Sequence, residues 1–305
     1  MPASIVSEKT GIPWVLYELQ PASFFSIYEP PVLEAAPYLA KFRFLGVWAV
    51  KIFKQLAKLM TRSWAKPIHE LRKNLELSQV SDPIFFEGKF SSDLVLAIFS
   101  SVFAKSQLDW AKQTKITGFI FYDCLSSDSG LSKELQKFLV AGEAPIVFTL
   151  GSAAVKIAGN FYIESLAAAQ KLGCRAVFLV GDRKLENLPP ETIAVDYAPY
   201  SELFPLAKAV VHQGGIGTTA QALRAGVPML VVPFSFDQPD NAARVVRLGV
   251  GRTISRQRYQ QNRVIKELQL LLNPQYQTKA REIAQIVRAE NGVKTACDEI
   301  EACLN

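Results

Sequence analysis

From Pro145 onward, short apolar runs alternate with segments of helical period. Residues 146–150, 176–180, 193–195, 209–211 and 229–232 are apolar and β-compatible, and they are bounded by Gly, Pro or polar residues, as buried strands are. Residues 161–172, 218–225, 241–248, 263–272 and 279–290 carry helix-type patterns, and residues 292–304 add a terminal helix. Gly226 and Pro228 stop the helix that ends at Ala225. This unbroken alternation predicts an α/β fold with a parallel sheet covered by helices on both faces. The segment Ala141-Gly142-Glu143-Ala144-Pro145 reads as a hinge and divides the chain into residues 1–140 and 141–305.

The first 140 residues open differently. A Rossmann-like lobe begins with a strand, a glycine turn and a helix. Here the first fifteen residues read as the end of a helix, a cap at Gly11 and then a strand at Trp14-Val15, so the chain starts as if in the middle of a lobe. The expectation is that the first strands of this lobe are missing. Further on, Lys51, Lys54, Lys58 and Arg62 follow helical spacing beside an apolar stripe of Leu45, Trp48, Ile52, Leu56 and Leu59.

Charge adds to this picture. Between residues 41 and 73 there are nine basic side chains (Lys41, Arg43, Lys51, Lys54, Lys58, Arg62, Lys66, Arg72, Lys73) and one acidic one, Glu70, in a chain whose net charge is only +6. A basic amphipathic helix with Trp48 and Trp64 suits an anionic membrane surface. The plainer reading is a solvated face over the lobe's own core. No nucleic-acid recognition motif accompanies the charge.

With 305 residues, 49% of them apolar and 20% charged, the chain is long enough for two domains. Cys124, Cys174, Cys297 and Cys303 lack CxxC or metal-ligand spacing, which suits a reduced compartment. The apolar stretch around residues 94–104 is too short to span a bilayer, and no signal-peptide pattern opens the chain. These features imply a cytoplasmic protein, with peripheral membrane contact through residues 41–73 as the one qualification.

Candidate chemistry concentrates between Val211 and Val250. His212 falls where a strand should end. Gly214, Gly215 and Gly217 let backbone amides approach a ligand, and Thr218 and Thr219 start a helix whose N-terminus favours an anion. After the next strand come Asp237, Gln238, Asp240 and Asn241. Ligands of open parallel sheets lie beyond the carboxyl ends of the strands, so both polar sets fall on one rim. One suits phosphate and the other hydroxyls.

His-x-Gly-Gly-x-Gly-Thr-Thr, Arg-Ala-Gly-Val-Pro and Pro-x-x-x-Asp-Gln-Pro-x-x-Asn-Ala together resemble the donor-site signature of the GT-B glycosyltransferases, which use nucleotide diphosphate sugars. The bacterial and sterol-glucosylating branch is the most similar. Phe148-Thr149-Leu150-Gly151-Ser152 resembles the turn that opens the donor domain, and Asp196-Tyr197-Ala198-Pro199 the loop over the nucleotide base. The resemblance implies two Rossmann-like domains, the N-terminal one incomplete, and transfer of a hexose from a UDP-sugar to a hydrophobic alcohol (sterol, lipid or polyketide-like) with inversion. No Asp-x-Asp pair occurs in the chain, so no metal is expected at the diphosphate, and no cofactor is called for. By resemblance, His212 and the amides of residues 215–219 hold the diphosphate, Ser152 or its amide reaches it from the opposite turn, Tyr197 lies by the uracil, and Asp237 and Gln238 bind the sugar hydroxyls, with Gly151, Gly214 and Asn241 also counted among the donor-binding residues.

Two departures follow from the same resemblance. The plant branch has a ribose-binding glutamate where this chain reads Ala220-Gln221, so Gln221 is a candidate replacement. The family's general base, a histidine near the start of the acceptor domain, has no counterpart, because His69 lies in another segment. The sequence therefore leaves three readings open: an active transferase, a nucleotide-sugar-binding chain that needs a partner for catalysis, and a sugar-nucleotide epimerase of the same fold.

Overall fold

The computed structural model describes residues 2–33, 43–78, 84–122 and 130–304. They form two compact units, one of Met1–Ile120 with Glu290–Asn305 and one of Phe121–Ala289.

The second unit is built on a six-stranded parallel sheet: β4 Ile146–Thr149, β5 Ala176–Leu179, β6 Thr192–Val195, β7 Ala209–His212, β8 Met229–Val231 and β9 Gly251–Thr253, in the order β6-β5-β4-β7-β8-β9. All pairs are parallel, as the strand–helix alternation requires. Ile146, Phe148, Phe178, Val211 and Leu230 have no exposure, and Phe148 stacks on Phe178 at 4.8 Å. Sheets of this kind bury both faces, which is why these strands read as continuous apolar runs rather than alternating ones. Helices Phe161–Leu172 and Gln261–Leu271 pack together, as do Ile216–Ala225 and Pro274–Ala289. The strand β9 lies in a segment with no apolar run and was not foreseen.

Ala141–Pro145 is not where the units part. Helix Lys133–Val140, just before it, belongs to the second unit: Leu135 is fully buried, and Arg175 packs 4.1 Å over the Phe138 ring and donates to the Phe138 and Glu143 carbonyls. The segment is a connection inside that unit, and the division falls at Ile120/Phe121.

The first unit has a three-stranded parallel sheet of β1 Val15–Glu18, β2 Leu94–Ala97 and β3 Thr114–Ile116, in that order. Before β1, helix Pro2–Thr10 ends at Gly11, which takes a left-handed conformation (φ +73°). The terminal helix Gly292–Leu304 packs here, with Ala296, Ile300 and Cys303 against Val15, Leu94, Leu96 and Ile98. Gly292 sits directly on the Gly118 and Phe119 carbonyls, where a Cβ has no room.

Helix Val47–Thr61 is turned the other way from the plainer sequence reading. Val50, Phe53 and Ala57 face inward, whereas Leu45, Trp48, Ile52, Leu56 and Leu59 are all more than half exposed. Lys54 and Lys58 point in, to Glu87 at 3.1 and 2.7 Å. Arg72, also counted among the basic residues, is buried against Glu8 and the Ser78 carbonyl. Lys41 and Cys124 lie outside the described residues.

Candidate functional site

The strand order reverses between β4 and β7: β5 and β6 continue on one side of β4, while β7, β8 and β9 extend on the other. Loops that diverge from such a point leave a crevice at the carboxyl ends of the strands. Pairing of Phe148 with Val211 sets the Gly151 turn beside the loop after His212, and pairing of His212 with Val231 sets that loop beside the turn that holds Asp237. The register thus gathers the three motifs on one rim.

His212 is fully buried, and its Nδ1 accepts the Gly214 amide at 3.0 Å. The neutral ring therefore carries its proton on Nε2, an atom with no hydrogen-bond partner. Burial pushes its pKa down to about 3, so the ring is an uncharged single donor at neutral pH.

Gly214, with φ +89°, turns the chain under this ring; a Cβ there would meet Val231 Cγ1 at 2.7 Å. Only glycine fits that turn without displacing β8. In the helix that follows, Ile216–Ala225, the Thr219 amide and hydroxyl both donate to the Gly215 carbonyl, at 2.9 and 3.0 Å. The amides of residues 216–218 precede this first intrahelical bond, and they make an anion-favouring helix start. Gly217, in their midst, is exposed with open space around it.

The threonine hydroxyls serve the scaffold. That of Thr219 closes the first turn, and that of Thr218 bonds Tyr200, whose phenol lies 2.9 Å from Thr149 Oγ1 at the end of β4. What these two residues offer a ligand is the Thr218 amide. Tyr200 escaped the sequence reading because nothing in the local pattern distinguishes it from a packing aromatic; its role comes from joining two loops that are far apart in the chain.

Gln213 was also missed, since strand periodicity stops at His212. Its Nε2 lies across both glycine turns, 2.5 Å from a Cβ built on Gly151 and 2.8 Å from one on Gly215. The side chain is 6% exposed, and its Oε1 has no partner. Gly151 is left-handed at φ +60°, and Ser152 beside it is exposed.

In the third loop, Gln238 Oε1 accepts the Phe234 and Ser235 amides at 2.7 and 3.1 Å and so shapes the turn after β8. Asn241 Nδ2 bridges the Gly214 carbonyl at 2.9 Å and Asp237 Oδ2 at 2.6 Å. It ties the two loops together, while the half-buried Asp237 presents a carboxylate whose pKa burial raises. Just before it, Phe236 is 82% exposed and held at φ +57°, a strained conformation for a residue with a side chain. Behind the loop, Asp240 and Arg244 form a buried ion pair at 2.7 Å.

Tyr197, beyond the end of β6, is 76% exposed. Gln221 lines a polar cavity of about 330 Å³ with Ser201, Pro205, Arg224, Ala225 and Arg288, and its buried Oε1 has no partner. The other histidine, His69, is on helix Lys66–Asn74 of the first unit. Among the described residues no three His, Cys, Asp or Glu side chains come together as a metal site.

This rim has the features of a class: a doubly wound sheet with a helix N-terminus and a buried neutral donor at its switch point is suited to a phosphorylated ligand. Known proteins make the class specific. Residues 176–304 match the erythromycin biosynthesis protein CIII-like C-terminal domain. The O-mycaminosyltylonolide 6-deoxyallosyltransferase of Streptomyces fradiae is 37% identical over 195 residues, 63% of this chain and 46% of that protein. The sterol 3-beta-glucosyltransferase of Arabidopsis thaliana is 33% identical over 192 residues, 62% and 30% of the respective chains. The chain spans about half the length, or less, of these curated relatives. The crystal structure of the kitacinnamycin glycosyltransferase superposes with a TM-score of 0.74 at 20% identity, covering 99% of this chain and 73% of that one. The spinosyn rhamnosyltransferase complexed with thymidine diphosphate does so with a TM-score of 0.53 at 22% identity, covering 65% and 54%. The fold is that of the GT-B glycosyltransferases, and residues 176–304 match the CIII-like C-terminal domain model.

Proposed function

We propose that this chain transfers a hexose from a nucleoside diphosphate sugar, a UDP-sugar in the first instance, to a hydrophobic alcohol, with inversion and without a metal ion. The observation that carries the reading is the buried, proton-bearing and unpartnered Nε2 of His212 beside a free helix N-terminus at the switch point. Transfer forms a bond from the acceptor oxygen to the anomeric carbon while the bond from that carbon to the diphosphate breaks. The acceptor's proton leaves to a base, which is not assigned among the described residues. Negative charge grows on the departing diphosphate, and fixed donors placed where charge develops stabilise that step most. His212 Nε2–H and the amides of residues 216–218 are such donors.

Asp237 would orient sugar hydroxyls, Tyr197 would cover the base, and the unpartnered Gln221 Oε1 would accept from a ribose hydroxyl. An apolar acceptor is supported by a cavity of about 160 Å³ in the first unit, lined by Phe25, Pro30, Val50, Phe53, Ala57 and Phe86 among others. That volume suits one ring of a larger molecule, since whole-ligand pockets run to about 300–1,000 Å³. The named relatives act on a macrolide and a sterol, which supports the same acceptor class.

The test is incubation with UDP-glucose or TDP-glucose and a sterol or macrolactone alcohol, with mass-spectrometric detection of the glycoside. A glycoside of inverted anomeric configuration, with one nucleoside diphosphate released per product, is the expected result. Tight donor binding without product from any pair would overturn transfer and leave nucleotide-sugar binding as the chain's property.

A further inference from the structure

We infer that the outer face of helix Val47–Thr61 is a docking surface for an anionic phospholipid bilayer, on which the helix lies parallel to the membrane plane. The inference is independent of the transferase reading, because no residue of the donor rim takes part.

Trp48, Ile52, Leu56 and Leu59 recur at spacings of four, four and three and form one stripe along the helix, exposed by 67, 53, 52 and 65%. Phe44 and Leu45 before the helix, and Met60 and Trp64 at its end, extend the exposed apolar surface to residues 44–64. A helix of 15 residues is about 22 Å long, so this is a continuous patch and not a scatter of single side chains. Its orientation is fixed from beneath. Lys54 sits between Glu87 at 3.1 Å and Asp109 at 3.9 Å, and Lys58 lies 2.7 Å from Glu87 and 5.7 Å from the Phe86 ring centre. Rotating the stripe inward would break these ion pairs and lift Val50 out of its buried place.

Charge selects the occupant. No acidic residue occurs between residues 41 and 69, and the exposed cations beside the stripe among the described residues include Lys51, Arg62 and Lys66. An apolar stripe flanked by exposed cations and ending in tryptophans matches the boundary between acyl chains and anionic headgroups. No helix among the described residues is long and apolar enough to cross a membrane, so the contact is with one leaflet. Such a contact would bring the chain to the surface where lipophilic alcohols partition.

Co-sedimentation of the full chain with phosphatidylcholine vesicles, with and without phosphatidylglycerol, tests this. Binding to the anionic vesicles is expected, with a blue shift of tryptophan emission and release by salt. Each surface cation contributes about 1 kcal/mol, so Lys51→Glu or Arg62→Glu should lower partitioning at least about fivefold. The pair Trp48→Ser and Leu56→Ser should abolish it, and because both side chains are exposed their thermal unfolding should match the parent. The proposal is overturned by absence of vesicle binding, by equal and salt-insensitive binding to both vesicle types, or by binding that these variants leave unchanged. It is also overturned if sedimentation velocity shows a dimer that the Trp48 and Leu56 variants dissociate, since the face would then be covered by a second copy.

Discussion

The donor rim of the second unit and the outer helix of the first break the inside-out rule in opposite directions. At the rim, His212, Gln213, Thr219, Gln238, Asp240, Asn241 and Arg244 are buried polar side chains. On the helix, Trp48, Ile52, Leu56 and Leu59 are exposed apolar ones. An exposed leucine alone says little, but a buried polar cluster and a contiguous apolar patch are the two deviations that carry information. Their partners differ as well. The rim's polar atoms are joined to one another except at a few positions, His212 Nε2 foremost, whereas each side chain of the stripe is more than half exposed. In the proposed donor site the exception is where the diphosphate would fit, and on the helix the whole face would meet the proposed bilayer.

Four probes test this contrast. Asp240→Ala should cost most: it removes the carboxylate that the buried Arg244 bonds at 2.7 Å, and breaking a buried ion pair costs up to about 3–5 kcal/mol. Urea unfolding would measure it, and a loss near zero would show that the ion pair is not part of the rim's support. Next, Gly214→Ala forces a side chain into a left-handed turn and against Val231, for which strain alone costs about 1–3 kcal/mol. Gly217→Ala, in open space, should leave stability within about 1 kcal/mol of the parent.

Acid provides the third probe. His212 takes up a proton near pH 3 in the folded chain and near 6.5 when unfolded, because burial disfavours the charged ring. Between those values the unfolded form holds the extra proton, so this group makes stability fall as pH drops through the window. In His212→Asn the amide oxygen can still accept from Gly214, and the titrating group is gone. Its stability should decline less between pH 6.5 and 4 than the parent's; parallel curves would mean that His212 is not buried neutral. The smallest effect belongs to the helix: Trp48→Ser should shift unfolding by no more than about 0.5 kcal/mol, while Val50→Ala on the inner face should cost more.

The sequence foretold the rim better than the helix, for physical reasons. Strands β4, β5, β7 and β8 are buried on both faces and so are written as unbroken apolar runs, and Gly214 and Gly226 mark left-handed positions that few other residues tolerate. The pairing of β4 with β7 and of β7 with β8 then gathers the motifs. What stayed hidden depends on contacts across long chain separations. That Asn241 Nδ2 also ties the Gly214 and Asp237 loops together is visible only in the structure. Tyr200 and Gln213 gain their places only when two turns meet. The helix misleads because both of its sides carry apolar residues. Periodicity gives the stripe but not which stripe faces in, and that choice is made by Glu87 and Asp109, outside the helix.

The central claim is that His212 Nε2 and the helix start form a diphosphate site. Calorimetric titration of UDP and TDP into the parent, His212→Asn and His212→Gln tests it most directly. Hydrogen bonds to charged groups are worth about 1.5–3 kcal/mol. The asparagine variant, folded but without a donor at the Nε2 position, should therefore bind about 10–150-fold more weakly. Glutamine, whose amide reaches further, should recover part of the affinity. Equal affinity of the parent and the folded asparagine variant for both nucleotides would contradict the account.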